Sequence, residues 1–439
     1  HRSYLLSSGR FRISEAWRWG YTAERTSDDL LFDKYDIGDV YEDRGLYLAD
    51  SQRLISQAYA TRIGDRSYLS IAALSFQGLR PTDDDGTFPF VGPLVEGRWE
   101  PRTKIAGGRL RVRGSGVSLV RDEGVDSRRA TVEADWRRAM TLASGLRIEP
   151  LALLRGDYYS IDDGGDAYED TLARGNATIG TELSWPLIRR RGSTSILLEP
   201  IVQVLLSPNA DASDEVPNED SVVFTFDETN LFDTDRYPGF DRYEGGQRVN
   251  VGGRATLSWS AGREVSLFAG RSFRAEDDLA FAPTSGLREQ ASDYILAGNA
   301  TPFPGLYLFG RSRLDGDTGE VRRAEAAANV YLSRIKGGVR YYYDDANPLG
   351  VRTHEVDFVG EALFTRNWGV VFSGVRDLED KAWRRRDIGL LYTDECVRLE
   401  VIYERDETFN RTLGPSDSVA VRLSLATLGQ SGYRDYDER

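Results

Sequence analysis

Two histidines and one cysteine set a low ceiling on the chemistry this chain can perform. His1, His354 and Cys396 are too few for a His/Cys zinc site, and one cysteine permits no internal disulfide. His354 has Glu355 and Asp357 beside it in sequence, but successive strand residues point to opposite faces, so His354 and Glu355 cannot share a proton. No convergent nucleophile and base can be assembled, so no catalytic residue and no enzyme are expected. Acidic runs at Asp83-Asp84-Asp85, Asp162-Asp163, Asp277-Asp278 and Asp344-Asp345 offer oxygen ligands to Ca²⁺ or Mg²⁺, but none has the spacing of an EF-hand loop. They read mainly as solvated turn residues, and no protein-held metal site is expected. Gly114-Ser115-Gly116 lacks the strand, loop and helix setting of a phosphate cradle and reads as strand glycines.

The cations are of one kind. Only Lys34, Lys104, Lys336 and Lys381 are lysines, so 52 of the 56 basic residues (56 − 4) are arginine. Arginine offers a planar fork suited to phosphate, although the bias equally fits a compositional preference of the coding genome. The net charge of −14 (56 − 70) argues against nucleic acid, which needs a basic stripe to displace its counterions.

Such side chains need a scaffold, and the sequence is specific about which. Across 439 residues no run approaches 18 uncharged apolar residues, which excludes a membrane-spanning helix. The chain opens at His1 without initiator methionine or apolar leader, and reads as a mature or internal piece of a longer product. Period-two alternation recurs from end to end, and no convincing amphipathic helix interrupts it. In Val397–Glu404 the odd positions are apolar and the even ones mostly charged; Val419, Val421, Leu423 and Leu425 alternate with Ala420, Arg422 and Ser424. Leu110 and Val112 lie between Arg109, Arg111 and Arg113, which puts the three arginines on one face.

About 20 strands follow, among them 10–26, 44–63, 143–160 and 416–428. Their connections alternate short (Gly64-Asp65, Ala261-Gly262, Arg366-Asn367, the step around Glu395) and long (27–43, 80–90, 161–168, 208–243, 276–291, 344–351, 408–415). The 185–194 connection belongs to the short set without being tight. A β-sandwich or propeller has no reason to sort its loops by end. A transmembrane β-barrel does, with tight periplasmic turns at one rim and long extracellular loops at the other. The expected class is therefore all-β, a large antiparallel transmembrane barrel. Trp17, Trp19 and Tyr21, then Tyr341, Tyr342 and Tyr343, fall near strand ends where interfacial girdles belong.

The 208–243 connection is too long for a hairpin loop and too aromatic for a disordered one: Phe224, Phe226, Leu231, Phe232, Tyr237 and Phe240 run through it. Its charges, including Asp227, Asp235, Arg236, Asp241 and Arg242, can pair with inward-facing strand residues. It reads as a segment folded over or into the lumen, with a surface cap as the other reading. Cys396 lies on a tight turn, either lacking a partner held elsewhere or buried and unpaired.

With those residues in view, the chain resembles the lipopolysaccharide-assembly outer-membrane protein family (LptD), in an alphaproteobacterial form. The resemblance is carried by Pro217-Asn218-Glu219-Asp220-Ser221, by Phe226-Asp227-Glu228-Thr229-Asn230-Leu231-Phe232, and by Arg236-Tyr237-Pro238-Gly239-Phe240-Asp241-Arg242-Tyr243-Glu244. Trp17-Arg18-Trp19-Gly20, Tyr392-Thr393-Asp394-Glu395-Cys396 and Pro415-Ser416-Asp417-Ser418 support it. The resemblance implies that residues 1–439 are the C-terminal part of a barrel of about 26 strands. The periplasmic jelly-roll domain and the first barrel strands would lie outside them.

It further implies insertion of lipopolysaccharide into the outer leaflet, through a polar lumen and a lateral opening between first and last strands. The last strand would present Val419, Val421, Leu423 and Leu425 to lipid. Asp227, Asn230, Phe232, Arg236, Pro238, Gly239, Asp241 and Arg242 would form the lumen loop. Cys396 would pair with the N-terminal domain; one cysteine stands where some relatives have two. Implied partners are lipopolysaccharide, the lipoprotein plug LptE, a periplasmic bridge protein and outer-membrane lipid. No cofactor is implied beyond Ca²⁺ or Mg²⁺ bridging lipopolysaccharide phosphates. Inward Arg109, Arg111 and Arg113 are expected to attract those phosphates. The competing function is a large substrate-specific pore or receptor barrel, which needs the same alternation and the same loop asymmetry.

Overall fold

The computed structural model describes residues 2–35, 37, 44–48, 53–80, 82–210, 215–222, 225–260, 262–345, 350–408 and 414–425. Phe224, parts of the loops 27–43, 208–243, 344–351 and 408–415, and the predicted strand end 426–428 lie outside them. The chain forms one 23-stranded sheet, and its contacts divide into two units. The first unit spans 1–183, 203–224 and 233–248. It holds β1 (Tyr4–Arg12), β2 (Trp17–Thr26), β3 (Arg53–Gly64), β4 (Ser67–Gly78), β5 (Phe90–Trp99) and β6 (Arg109–Val120). After them come β7 (Asp126–Arg137), the two-residue β8 (Met140–Thr141), β9 (Arg147–Asp162) and nearly all of β10 (Thr171–Ser184).

The second unit begins with β11 (Leu187–Arg191); β12 (Thr194–Leu206) and β13 (Gln247–Trp259) supply residues to each unit. It continues with β14 (Glu264–Arg274), β15 (Tyr294–Phe303), β16 (Leu306–Leu314), β17 (Val321–Tyr331) and β18 (Ile335–Asp344). It ends in β19 (Thr353–Leu363), β20 (Trp368–Asp377), β21 (Trp383–Thr393), β22 (Val397–Asp406) and β23 (Ser416–Leu425). Sequence neighbours pair antiparallel, as in Tyr4↔Thr26, Val401↔Val421 and Ile402↔Ala420.

Every expected strand has a counterpart, and the three extra ones have local causes. The stretch 10–26 is two strands, because Ile13 and Ser14 both donate backbone N–H to Trp17 O (3.0 and 3.2 Å) while Ser14 Oγ accepts from Trp17 N (3.1 Å). That turn contains neither Gly nor Pro, and the apolar alternation runs through it. Within 185–194, β11 forms its own hairpin with β12, from Leu187↔Leu198 to Arg191↔Thr194, closed by Gly192 at φ +61°. Just ahead of the expected strand 143–160, the short β8 folds back on β9 through Met140↔Ile148. Within the span 44–63 the described strand runs from Arg53, residues 44–48 are not strand, and 49–52 lie outside the described residues. Gln57 captures the preceding backbone instead: its Oε1 accepts from Leu46 N and Tyr47 N (2.9 and 3.0 Å), and its Nε2 donates to Tyr47 O (2.8 Å).

The pleat sorts side chains onto two faces of opposite character. One exposes apolar residues: Val132 is 60% exposed, Leu267 58%, Ile388 61% and Val421 67%. The other buries Glu24, Gln57, Glu133, Asp157, Arg174, Asp387 and Glu400. Water would select the reverse, so the apolar face is one that lipid must cover. Aromatic rings gather on strand ends by the short turns: Phe11 stacks on Trp19 (4.5 Å), Tyr307 meets Tyr331 (6.0 Å) and Trp368 meets Tyr392 (5.1 Å). Near a long loop His354 sits edge-on between Tyr341 (5.6 Å) and Tyr343 (5.4 Å), bonded to the Tyr341 hydroxyl (3.2 Å). Tyr342 points to the other face, pairing with Glu355. His354 is thus part of an aromatic group and does not converge with Glu355.

Candidate functional site

The long connection between β12 and β13 is a hook, and most of the family-like residues sit in it. In the first unit it docks on the polar faces of β7, β9 and β10. Alternation places Arg129, Thr131 and Glu133 on one face of β7, and register sets them beside Tyr159, Asp157 and Arg155 of β9. Arg129 meets Asp220 at 2.9 Å and forms a close ion pair with Asp241, whose own exposure is 4%. Asp241 Oδ2 accepts from the backbone of Glu219 and Asp220 (2.7 and 3.0 Å), and Tyr159 Oη donates to its Oδ1 (3.0 Å). Arg174 binds Asp157 (2.9 Å) and donates to the Phe240 carbonyl (3.2 Å), to which Arg155 also donates.

The Phe240 ring is ringed by guanidinium groups, with Arg113 and Arg129 at 5.3 Å and Arg155 at 5.8 Å. Tyr243 lies 5.2 Å from Arg155 and 5.1 Å from Arg174. The rings cover cations that carry their own carboxylates: Asp220 and Asp241 of the hook for Arg129, Asp157 of β9 for Arg155 and Arg174, and Glu133 of β7 for the more exposed Arg113.

Gly239 makes the bend. Its φ is +71°, and a Cβ there would meet Asp220 Cγ at 2.3 Å and Asp220 O at 2.5 Å. Asp220 Oδ1 in turn accepts from Phe240 N (2.9 Å) and Asp241 N (3.0 Å), and Ser221 Oγ donates to Pro238 O. Arg242 donates its backbone N–H to Ser221 Oγ (3.2 Å), while Arg236 pairs with the buried Glu244 (3.4 Å). Burial opposes it, but Arg129 and those two amides hold the Asp220 carboxyl below the usual carboxylate range. Asp235 behaves oppositely: burial pushes it up to about 7, with Arg155 at 3.7 Å only partly offsetting.

The other expected loop residues belong to the second unit. Asp227 pairs with Arg311 (2.9 Å) and caps Thr229 (2.9 Å), and its own N–H goes to Asn230 Oδ1 (3.1 Å). Phe232 meets Phe268 edge-on at 6.3 Å. Leu231 is fully buried where a Cβ on Gly270 would come within 2.3 Å of it, so a bare backbone receives the side chain.

Val419, Val421, Leu423 and Leu425 lie together on the exposed face of β23, with Arg422 on the opposite face bound to Glu404 (2.7 Å). Cys396 is exposed on the turn between β21 and β22, its N–H held by Asp394 Oδ1 (2.8 Å); the buried-cysteine reading is therefore wrong. The loop acids are turn caps and ion-pair partners. Asp84 accepts from Gly86 N (3.0 Å), Asp162 meets Arg128 (3.1 Å), Asp278 meets Arg274 (3.0 Å) and Asp345 meets Arg322 (3.0 Å). Among the described residues no group of three or more His, Cys, Asp or Glu could hold a metal.

Arg109, Arg111 and Arg113 share the polar face with Glu133 and Asp135, as the alternation requires. The strand partners of the hook, Arg129, Arg155, Tyr159 and Arg174, went unnoticed in the sequence. The one signal for them is charge at every second position, as in Arg155 and Asp157, which marks a polar face without naming its occupant.

Comparison with known proteins bears on this arrangement. The family model for LPS transport system D matches residues 1–368. The LPS-assembly protein LptD of Chromobacterium violaceum is 24% identical over 248 residues, covering 54% of this chain and 31% of that protein. The chain thus matches about a third of that relative's length. Among solved structures, the siderophore receptor PirA from Pseudomonas aeruginosa gives a TM-score of 0.45 at 9% identity, covering 94% of this chain and 74% of the receptor. An engineered Rh. blastica porin gives 0.25 at 15% identity, covering 72% of this chain and 98% of the porin. The assignment rests on the family match, which takes in the hook and every strand through β19: the chain belongs to the LptD family of outer-membrane β-barrel transport proteins.

Proposed function

We propose that this chain is the membrane part of a translocon that inserts lipopolysaccharide into the outer leaflet of the outer membrane. The observation that carries the reading is the two-faced sheet, apolar and exposed on one face and charged on the other, in a chain of this family. Acyl chains avoid water and phosphorylated sugars avoid hydrocarbon, so a polar lumen with a side opening keeps each half of the cargo in its own medium. The hook 208–243 folds into that lumen and closes it from the long-loop side. The side opening lies at the seam formed by β23, whose Val419, Val421, Leu423 and Leu425 face lipid. A seam breaks fewer hydrogen bonds than an interior ladder when it parts.

Cys396, exposed on a short turn, pairs with a cysteine in the periplasmic domain of the full-length protein. A lipoprotein of the LptE type plugs the lumen, a periplasmic bridge protein delivers cargo, and Ca²⁺ or Mg²⁺ arrives bound between cargo phosphates. The test is depletion of the full-length gene while newly labelled lipopolysaccharide is followed to a cell-surface reagent. Label that stalls before the surface while other barrels still assemble supports insertion; normal delivery refutes it.

A further inference from the structure

We infer that Arg98, Arg111 and Arg113 form an anion site on the polar face of β5 and β6 that takes a phosphate group of a sugar-phosphate cargo. The identity of the cargo rests on the function proposed above. Arg98 and Arg113 stand directly opposite each other on adjacent strands. Like charges in that position repel, and a protein normally relieves them with a carboxylate. Here the nearby acids are committed elsewhere. Glu133 holds Arg113 alone (2.7 Å), Glu96 accepts from the Tyr47 hydroxyl (2.9 Å), Glu100 is shared by Arg66 and Arg109 (3.1 Å to Arg109), and Asp135 is taken by Arg137 (3.2 Å). Among the described residues no carboxylate oxygen lies within 4.0 Å of Arg98 or Arg111.

The second unit shows what a neutralised version looks like. Arg313 and Arg323 also face each other across strands, but Asp293 lies 3.3 Å from the first, and Glu325 and Asp344 lie 2.6 and 3.4 Å from the second. The pair in the first unit lacks such a set and is open to solvent, with the Arg113 side chain 45% exposed. Arg98 lies on the Tyr68 ring (5.4 Å) and Arg113 on Phe240 (5.3 Å). A guanidinium lying over a ring is held in place; Arg98 meets no carboxylate and Arg113 gives one edge to Glu133, which leaves N–H groups of both for phosphate oxygens. Arg109, expected from the alternation to share this role, is engaged by Glu100 and drops out.

The test uses the full-length protein in detergent with its copurifying partners, titrated with inorganic pyrophosphate, with deacylated lipopolysaccharide, and with the same deacylated material after phosphatase treatment. The double variant R98Q/R111Q is expected to bind both phosphorylated probes at least about tenfold more weakly, and phosphatase treatment to weaken wild-type binding comparably. Arg98→Glu, which would pair with Arg113, is expected to abolish binding while raising the melting temperature, so lost binding cannot be blamed on lost folding. Unchanged pyrophosphate binding in R98Q/R111Q overturns the site. Lost pyrophosphate binding with unchanged binding of deacylated lipopolysaccharide overturns the cargo assignment. The pyrophosphate result does not depend on lipopolysaccharide export, so failure of the site and failure of the translocon reading are told apart.

Discussion

Two arginine groups on the same sheet face, a few residues apart, have opposite fates. Arg129, Arg155 and Arg174 are almost wholly buried, each held by carboxylates, carbonyls and rings of the hook or its strands. Arg98, Arg111 and Arg113 are exposed, and among the described residues only Arg113 has a carboxylate, Glu133. A buried charge is tolerable only when fully paired, so the first group is committed to holding the hook. An exposed cation surplus costs less and stays free to meet a ligand. One sheet face thus separates structure from binding by degree of burial.

The comparison breaks most visibly at Arg129. Arg129→Ala leaves the buried Asp241, and Asp220 beside it, without their cation, and hook docking should weaken by about 3–5 kcal/mol. Limited proteolysis within 215–222 would report it, and unchanged protection would show that the pairs do not hold the hook. Gly239→Ala comes next: the left-handed backbone and the contact with Asp220 should cost about 1–3 kcal/mol, read as faster amide exchange at Phe240 and Asp241.

A pH titration sharpens the picture further. Asp235 has its docked-state pKa raised to about 7 by burial, so docking is strongest below the ordinary aspartate range and is lost as pH rises through 7. From pH 6 to pH 8 the docking equilibrium should fall about tenfold, or roughly 1.4 kcal/mol, and Asp235→Asn should flatten that slope. The smallest effect belongs to the exposed group. Arg111→Gln should move the melting temperature by less than a degree or two, because no described carboxylate lies within ion-pair distance of that charge. A large loss there would erase the distinction between the two groups.

Much of the scaffold was legible because a strand buries or exposes its residues two at a time. The alternation in 397–404 and 419–425 became β22 and β23, with the apolar positions on the exposed face. The break between β1 and β2 was not legible, since the Ser14 turn has no Gly or Pro and its apolar period continues across it. The hook residues Asp227, Asn230, Phe232, Arg236, Pro238, Gly239, Asp241 and Arg242 were recognisable as a group from their resemblance to a family. Their separation into two groups, one around Arg129 and one around Arg311, was not.

Local pattern alone determined the class of fold, the two faces of each strand, the alternation of short and long connections and the presence of a structured long loop. These are short-range properties, set by the pleat and by which residues can turn a chain. Tertiary structure alone decided which arginines are satisfied. Asp241 lies 112 positions from Arg129, and only the register that brings β7 beside β9, with the Gly239 bend, puts them in contact. Arg98 faces Arg113 for the same reason, and Coulomb forces act on distance in space, which sequence separation does not disclose.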